Sequence, residues 1–174
     1  MRPSTLACVG VLAVAVALPL SGSDLGSPYC FGIGCPCGND DPSAGCANSS
    51  GRGARLEALG STSVSAADLQ FRATQLPTSS LSLLVLSPAQ RSVPFGDGLL
   101  CVGPGMARLR THLNSGQAGT VTYANVLPIL AAHGVVVQAG ETWNAQVWFR
   151  DPAHKGVCGG QSNLTHAWTL TFTP

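Results

Sequence analysis

The sequence predicts an all-β fold, an antiparallel β-sandwich behind a Cys-rich, loop-built N-terminal segment. Three observations point there. Short apolar runs recur along the chain with Gly/Pro turns between them, and no long amphipathic helix interrupts them. The best-patterned runs alternate apolar with polar residues, the period of a half-buried strand. Charged residues are only 10% of the chain, which suits a Thr/Ser-faced extracellular β surface better than a helical one.

Residues 1–23 read as a secretory signal peptide. Arg2 and the amino terminus give a positive start, Leu6 to Leu20 form an apolar run, and Ser21-Gly22-Ser23 supply small residues for cleavage. The run is about 15 residues, short of the roughly 20 a membrane-spanning helix needs, so no membrane span is expected in the mature chain. Cys8 lies near the start of the run rather than after it, which argues against a lipoprotein signal. The remaining ~150 residues suffice for one core. From Asp24 onward eight Lys and Arg balance eight Asp and Glu, a formal charge of 8 − 8 = 0. Nucleic-acid binding needs clustered cations, and the closest pair, Arg108 and Arg110, reads as a solvated face.

Six cysteines follow the signal: Cys30, Cys35, Cys37, Cys46, Cys101 and Cys158. An even count behind an export signal reads as a disulfide framework. Cys35-Pro36-Cys37 lacks the spacing of a zinc knuckle, so no metal is expected. Four of the six lie within 17 residues and can pair with one another through short loops. Adjacent pairing of Cys35 with Cys37 is disfavoured by disulfide geometry. The expectation is therefore Cys30 bridged to one of that pair, Cys46 to the other, and Cys101 to Cys158.

Residues 24–53 show no apolar periodicity and form the Cys-rich N-terminal knot; residues 54–174 form the sandwich. Leu69, Phe71 and Ala73 alternate with Gln70, Arg72 and Thr74, a half-buried strand. Pro77 to Ser80 turn the chain into the apolar strand Leu81 to Leu86, which ends at Pro88. Gly96-Asp97-Gly98 turns into Leu99 to Val102, stopped by Gly103-Pro104-Gly105. Ala107, Leu109, Thr111 and Leu113 begin a further strand, and Thr120 to Tyr123 form a short one. Residues 125–133 are apolar enough for a helical turn, but Pro128 lies inside them. Val135 to Gln138 is β-branched and brief. The strongest strand runs from Trp143 to Arg150, with Trp143, Ala145, Val147 and Phe149 on one face and Asn144, Gln146, Trp148 and Arg150 on the other. The last strand sets Trp168, Leu170 and Phe172 against Thr169, Thr171 and Thr173, which places Trp168 in the core.

The chemistry-bearing residues make no catalytic constellation. His112, His133, His154 and His166 lie in no recognisable motif, and His154 near Cys158 is outweighed by a bridged cysteine. Asp97 and Asp151 read as turn formers. Asn39-Asp40-Asp41 offers oxygens to calcium, but turn chemistry explains it equally well. Asn48-Ser49-Ser50 and Asn163-Leu164-Thr165 match the glycosylation sequon, a match short enough to arise by chance. Trp148 is the ligand-facing candidate, together with Arg150. It lies on the polar face between Gln146 and Arg150, where it either meets a sugar ring or packs under the Arg150 guanidinium in a cation–π contact of about 0.5–2 kcal/mol.

Several segments resemble a known family. Cys35-Pro-Cys-Gly-Asn39 with Gly45-Cys-Ala-Asn-Ser49, Pro94-Phe-Gly-Asp-Gly-Leu-Leu-Cys-Val-Gly103, Gly140-Glu-Thr-Trp143, Gln146-Val-Trp-Phe-Arg-Asp-Pro152 and Asn163-Leu-Thr-His-Ala-Trp-Thr-Leu-Thr-Phe172 resemble, in order, an uncharacterised secreted β-domain family of planctomycete-like and myxobacteria-like bacteria. The resemblance spans about Tyr29 to Pro174. It implies an exported, non-catalytic β module with no active site to carry over, and turn glycines, bridge cysteines and core aromatics as the matched residues.

The expectation is thus a non-catalytic secreted β-sandwich module with a structural, adhesion or interaction role at the cell surface or outside the cell. The alternative is a carbohydrate-binding module, and a hydrolase ranks third. No cofactor is called for. The expected partners are extracellular polysaccharide or other surface proteins, not nucleic acid.

Overall fold

The computed structural model describes residues 25–109, 111–153 and 159–174. The signal peptide, Arg110, His154 and Cys158 of the sequence reading lie outside the described residues. The strands are β1 (Ser27–Tyr29), β2 (Arg55–Leu59), β3 (Gln70–Thr74), β4 (Leu81–Ser87), β5 (Gln90–Phe95) and β6 (Gly98–Val102). Then come β7 (Ala107–Arg108), β8 (Leu113–Asn114), β9 (Val121–Tyr123), the helix α1 (Val126–Ala132), β10 (Thr142–Arg150), β11 (Ser162–Leu164) and β12 (Ala167–Thr171). The described fold is all-β and antiparallel, as the alternation predicts.

The large sheet runs β1-β12-β10-β4-β7, with β11 also paired to β10 and β8 to β4; β2-β3-β9 form a second sheet, and β5-β6 a hairpin. The two sheets pack face to face. Leu84 and Leu86 of β4 stand opposite Val147 and Ala145 of β10, and this face meets Leu56, Phe71, Ala73 and Tyr123 of the small sheet. Fully burying one such side chain contributes about 1.5–3 kcal/mol. The Tyr123 hydroxyl and Ser82 Oγ share a hydrogen bond of 2.8 Å between the sheets. Burial there pushes the Tyr123 phenol up to about 12, against a smaller downward pull from that bond.

Helix α1 closes one side of the core with Val126, Leu127 and Leu130. Pro128 is tolerated because it falls in the first turn, where its missing N–H has no intrahelical partner to lose. Val135 to Gln138, strand-like in the sequence, form no strand. The expected strand 107–113 is instead two short pieces, β7 and β8, that pair with different ends of β4; between them Leu109 is fully buried and its N–H donates to Leu84 O.

The N-terminal segment is built from turns, with β1 added to the sheet edge beside β12. The Asp40 carboxylate accepts from the N–H groups of Gly34 and Cys35 at 3.1 and 2.7 Å. Burial pulls the Asp41 carboxyl up, but the N–H of Gly53, the hydroxyl and N–H of Ser43 and the nearby Arg55 together hold it below the usual carboxylate range. The Asp40 and Asp41 carboxylates are therefore engaged by nearby backbone N–H groups, as turn chemistry expects, whereas Asn39 Oδ1 is buried with no hydrogen-bond partner.

The disulfides differ from the expected pairing. Cys35 is bonded to Cys46, but Cys30 is bonded to Cys101 across 71 residues, so neither Cys30–Cys37 nor Cys101–Cys158 forms. The reason is the placement of β1. It lays Tyr29 along the large sheet, where the Tyr29 hydroxyl donates to Cys101 O at 3.0 Å, and the next residue lands beside Cys101 rather than in the knot.

Candidate functional site

Strand β10 organises the candidate site. Its odd residues face the main core, so Asn144, Gln146, Trp148 and Arg150 point to the opposite face. The sequence reads that face as polar. In the structure the β5–β6 hairpin covers its middle, and Asn144 and Gln146 are 1% and 0% exposed.

Their burial is possible because each carboxamide meets backbone partners. Gln146 Oε1 accepts from the Cys101 N–H at 2.9 Å, and its Nε2 donates to Leu99 O at 2.9 Å and Thr165 O at 2.7 Å. Asn144 accepts from the Gln90 side chain at 2.8 Å and donates to Ser87 O at 3.1 Å. From β11, Asn163 Nδ2 reaches the carbonyls of Cys46 and Ala47 at 3.2 and 3.1 Å, tying the knot to the sheet. The hairpin approaches β11 so closely that a side chain at Gly98 would overlap the Asn163 amide. Both sequon asparagines, Asn48 and Asn163, are buried and hydrogen-bonded, so neither amide faces solvent.

Beyond the hairpin's cover, Trp148 is half-buried between its cross-strand neighbours Leu83 and Leu164. These three, with Val85 and Leu100, wall an apolar cavity of about 290 Å³. Three of the strands that wall it, β4, β10 and β11, belong to the large sheet.

Two arginines complete it. Arg108 pairs with Val85, which sets it on the Trp148 face, and it is exposed. Arg91 sits where the β5–β6 register shifts between Gln90 and Val93, a bulge of the kind that re-aims a side chain. It is half-buried in the cavity lining, and its Nε is buried with no hydrogen-bond partner. A buried donor left so costs about 1–3 kcal/mol.

Among the described residues no acidic one lines the cavity. The ion pair found among the described residues joins Arg72 to Glu57 on the small sheet. Through Leu83, Met106 and Arg108 the cavity adjoins a second hollow of about 780 Å³, where His112 and His133 line the wall with Leu130 and Val135. That hollow also lacks acids, so the groove is apolar below and cationic at its rim.

The structure keeps Trp148 at this groove but separates it from Arg150. Arg150 ends β10 and lines a different hollow with Arg52, Gln75, Gln117 and Asp151, and among the described residues no cation–π contact joins it to Trp148. Asp151 is fully buried and accepts from the Ser49 N–H at 2.7 Å, so it ties the knot to β10 as well as turning the chain. Asp97 does likewise at the hairpin: its Oδ1 accepts from the Gly160 N–H at 2.9 Å and lies 3.5 Å from Cys37 Sγ.

Arg91 was not marked by the sequence, because Gln90 to Phe95 carries no clean alternation. Arg108 was noted only as a solvated cation. Among the described residues no group of three or more His, Cys, Asp or Glu could hold a metal ion, and all five cysteines are disulfide-bonded. No helix there is long and apolar enough to cross a membrane. No protein-family model, curated protein or solved structure matches the chain.

Proposed function

We propose that this chain is a non-catalytic extracellular binding module whose ligand site is the Trp148 groove. The observation that carries the reading is the apolar cavity walled by Trp148, Leu83 and Leu164 and rimmed by Arg91 and Arg108. An apolar pocket with a few convergent polar groups is the usual form of a small-ligand site. The export-like leader and the disulfides favour an oxidising compartment, where such bonds persist. A binding role also agrees with the interaction function expected from the sequence.

The carbohydrate reading is weaker on this geometry. Sugar rings need flat aromatic faces open to solvent with polar groups around them. Trp143 is only 8% exposed, Trp168 is half-buried with its indole N–H on Leu25 O, and Trp148 forms the wall of an apolar groove.

The test is an NMR titration of the oxidised chain with oligosaccharides and with small amphiphiles of each charge. Perturbations gathered on Trp148, Leu164 and Leu100 are expected from at least one amphiphile. Perturbations from oligosaccharides alone, away from the groove, would replace this reading with the carbohydrate one.

A further inference from the structure

We infer that the Trp148 groove takes an amphipathic organic anion, with its acidic head on Arg91 and Arg108 and its acyl or aryl body against Trp148, Leu83 and Leu164. The inference rests on the groove being the binding site and adds the chemistry of what it binds.

The argument starts from charge. Two guanidinium groups border one cavity, and among the described residues no acid lines it or the hollow beside it. Arg91 presents its planar guanidinium, a fork of N–H donors, from a half-buried position. Its Nε is shielded from solvent and lacks an acceptor. A carboxylate, sulfonate or phosphate oxygen is the complementary partner, since a guanidinium presents a planar fork that such groups match in pairs of hydrogen bonds. A cation would meet two like charges, and a neutral polar ligand would leave both unpaired.

The body follows from the rest of the lining. Leu83, Val85, Leu100 and Leu164 offer no hydrogen-bonding side chain, so the part of the ligand that fills the cavity is apolar. About 290 Å³ lies near the lower end of ordinary small-ligand sites. A longer chain has room past Met106 in the adjoining hollow beside Leu130 and Val135. A polyanionic polysaccharide fits less well, because its repeating hydroxyls would be desolvated against leucine and valine.

The experiment titrates the oxidised chain with decanoate, 1-decanol and decyltrimethylammonium below their aggregation concentrations, read by calorimetry and tryptophan fluorescence. Trp148→Phe identifies the reporting indole. Decanoate is expected to bind one site at least about tenfold more tightly than 1-decanol, a difference of about 1.4 kcal/mol, and decyltrimethylammonium more weakly still. Arg91→Gln and Arg108→Gln should each weaken decanoate by about tenfold and 1-decanol much less, so that the preference for the anion is lost. Thermal midpoints like the parent's show that the fold is intact, and exposed Arg108 can be replaced without disturbing the core. If decanol and decanoate bind equally and the arginine variants do not discriminate, the anion inference is overturned while the groove remains a binding site. If no probe alters Trp148, both the inference and the proposed site fall.

Discussion

The backbone N–H of Leu56, on the small sheet, donates to Nε2 of His166, on the turn between β11 and β12 of the large sheet, at 3.2 Å. Nδ1 of the same ring lies 3.1 Å from Ala167 O. Only the neutral imidazole carrying its proton on Nδ1 satisfies both contacts, because protonating Nε2 sets one N–H against another. The ring is 4% exposed and lies against Phe31, 5.3 Å between centroids.

A pH dependence of stability follows. Burial holds the His166 pKa below the ordinary histidine value, the Ala167 carbonyl opposes this, and Arg55 adds to it. The folded value is thus below the unfolded value of about 6.5. The stabilisation is complete above about pH 6.5 and is lost as pH falls below it, where the unfolded chain takes up the proton more readily. Asp41, Asp68 and Glu141, whose carboxyls are also held low, act in a separate window below about pH 4. Thermal midpoints measured from about pH 8 to 5 should fall on the acid side, and His166→Gln should flatten that fall. An acid-side slope that survives the substitution would show another group responsible.

Peptide mapping without reduction should recover Cys30–Cys101 and Cys35–Cys46. Cys37 is also disulfide-bonded, so a further crosslinked peptide containing Cys37 is expected beside these two. In the chain-entropy account the Cys30–Cys101 loop is worth about 4 kcal/mol and the Cys35–Cys46 loop about 3. Cys30→Ser with Cys101→Ser should therefore lower stability more than the Cys35/Cys46 double replacement. The opposite order would mean that the knot, not the sheet edge, depends most on its bridge.

What the sequence made legible was periodicity, and what it hid was what covers each face. The alternation in β10 and β3 gave the sandwich and its inner face correctly, because apolar side chains at every second position have one physical meaning. The opposite face of β10 reads as polar, since Asn144 and Gln146 are polar by type. Polarity by type does not reveal that a carboxamide has backbone partners waiting. Those partners come from the hairpin, and β5 is nearly invisible in sequence: Gln90 to Phe95 is mostly exposed, broken by a bulge and contains Pro94. With β5 missing, Trp148 had a place but no neighbours, and Arg150 seemed its natural companion. The cysteine pairing failed in the same way. Short loops are locally cheap to close, but β1 carries Cys30 out of the knot to the sheet edge.

Core substitutions should rank by burial rather than by side-chain size. Phe71 and Phe149 are fully buried, whereas Trp168, placed in the core by its alternation, is half-buried at the edge of the main cluster. Phe149→Ala and Phe71→Ala should each cost about 3–5 kcal/mol. Trp168→Ala should cost less, about 2 kcal/mol, because solvent already reaches part of the ring and mainly its bond to Leu25 O is lost. Urea unfolding of the three variants gives the order directly, and a Trp168→Ala cost above both phenylalanines would contradict it.

Gln146 supplies the sharpest test of how the layers are held. Its carboxamide is fully buried and makes three hydrogen bonds, one to the hairpin N–H of Cys101, one to the hairpin carbonyl of Leu99 and one to the carbonyl of Thr165. Gln146→Leu removes a polar group of similar size from a buried site, which on burial alone would be neutral or favourable. The three backbone groups stay behind, however, and each buried group left without a partner costs about 1–3 kcal/mol. The expected loss is therefore at least about 3 kcal/mol. Gln146→Glu should fail differently. It keeps the acceptor for Cys101 but sets carboxylate oxygen against the carbonyls of Leu99 and Thr165, so it should recover part of the loss only where acid protonates it. Equilibrium unfolding of both variants at two pH values separates these effects. If Gln146→Leu unfolds within about 1 kcal/mol of the parent, the hairpin is held by Val85, Leu100, Val102 and Leu164 alone, and the amide merely tolerates its burial.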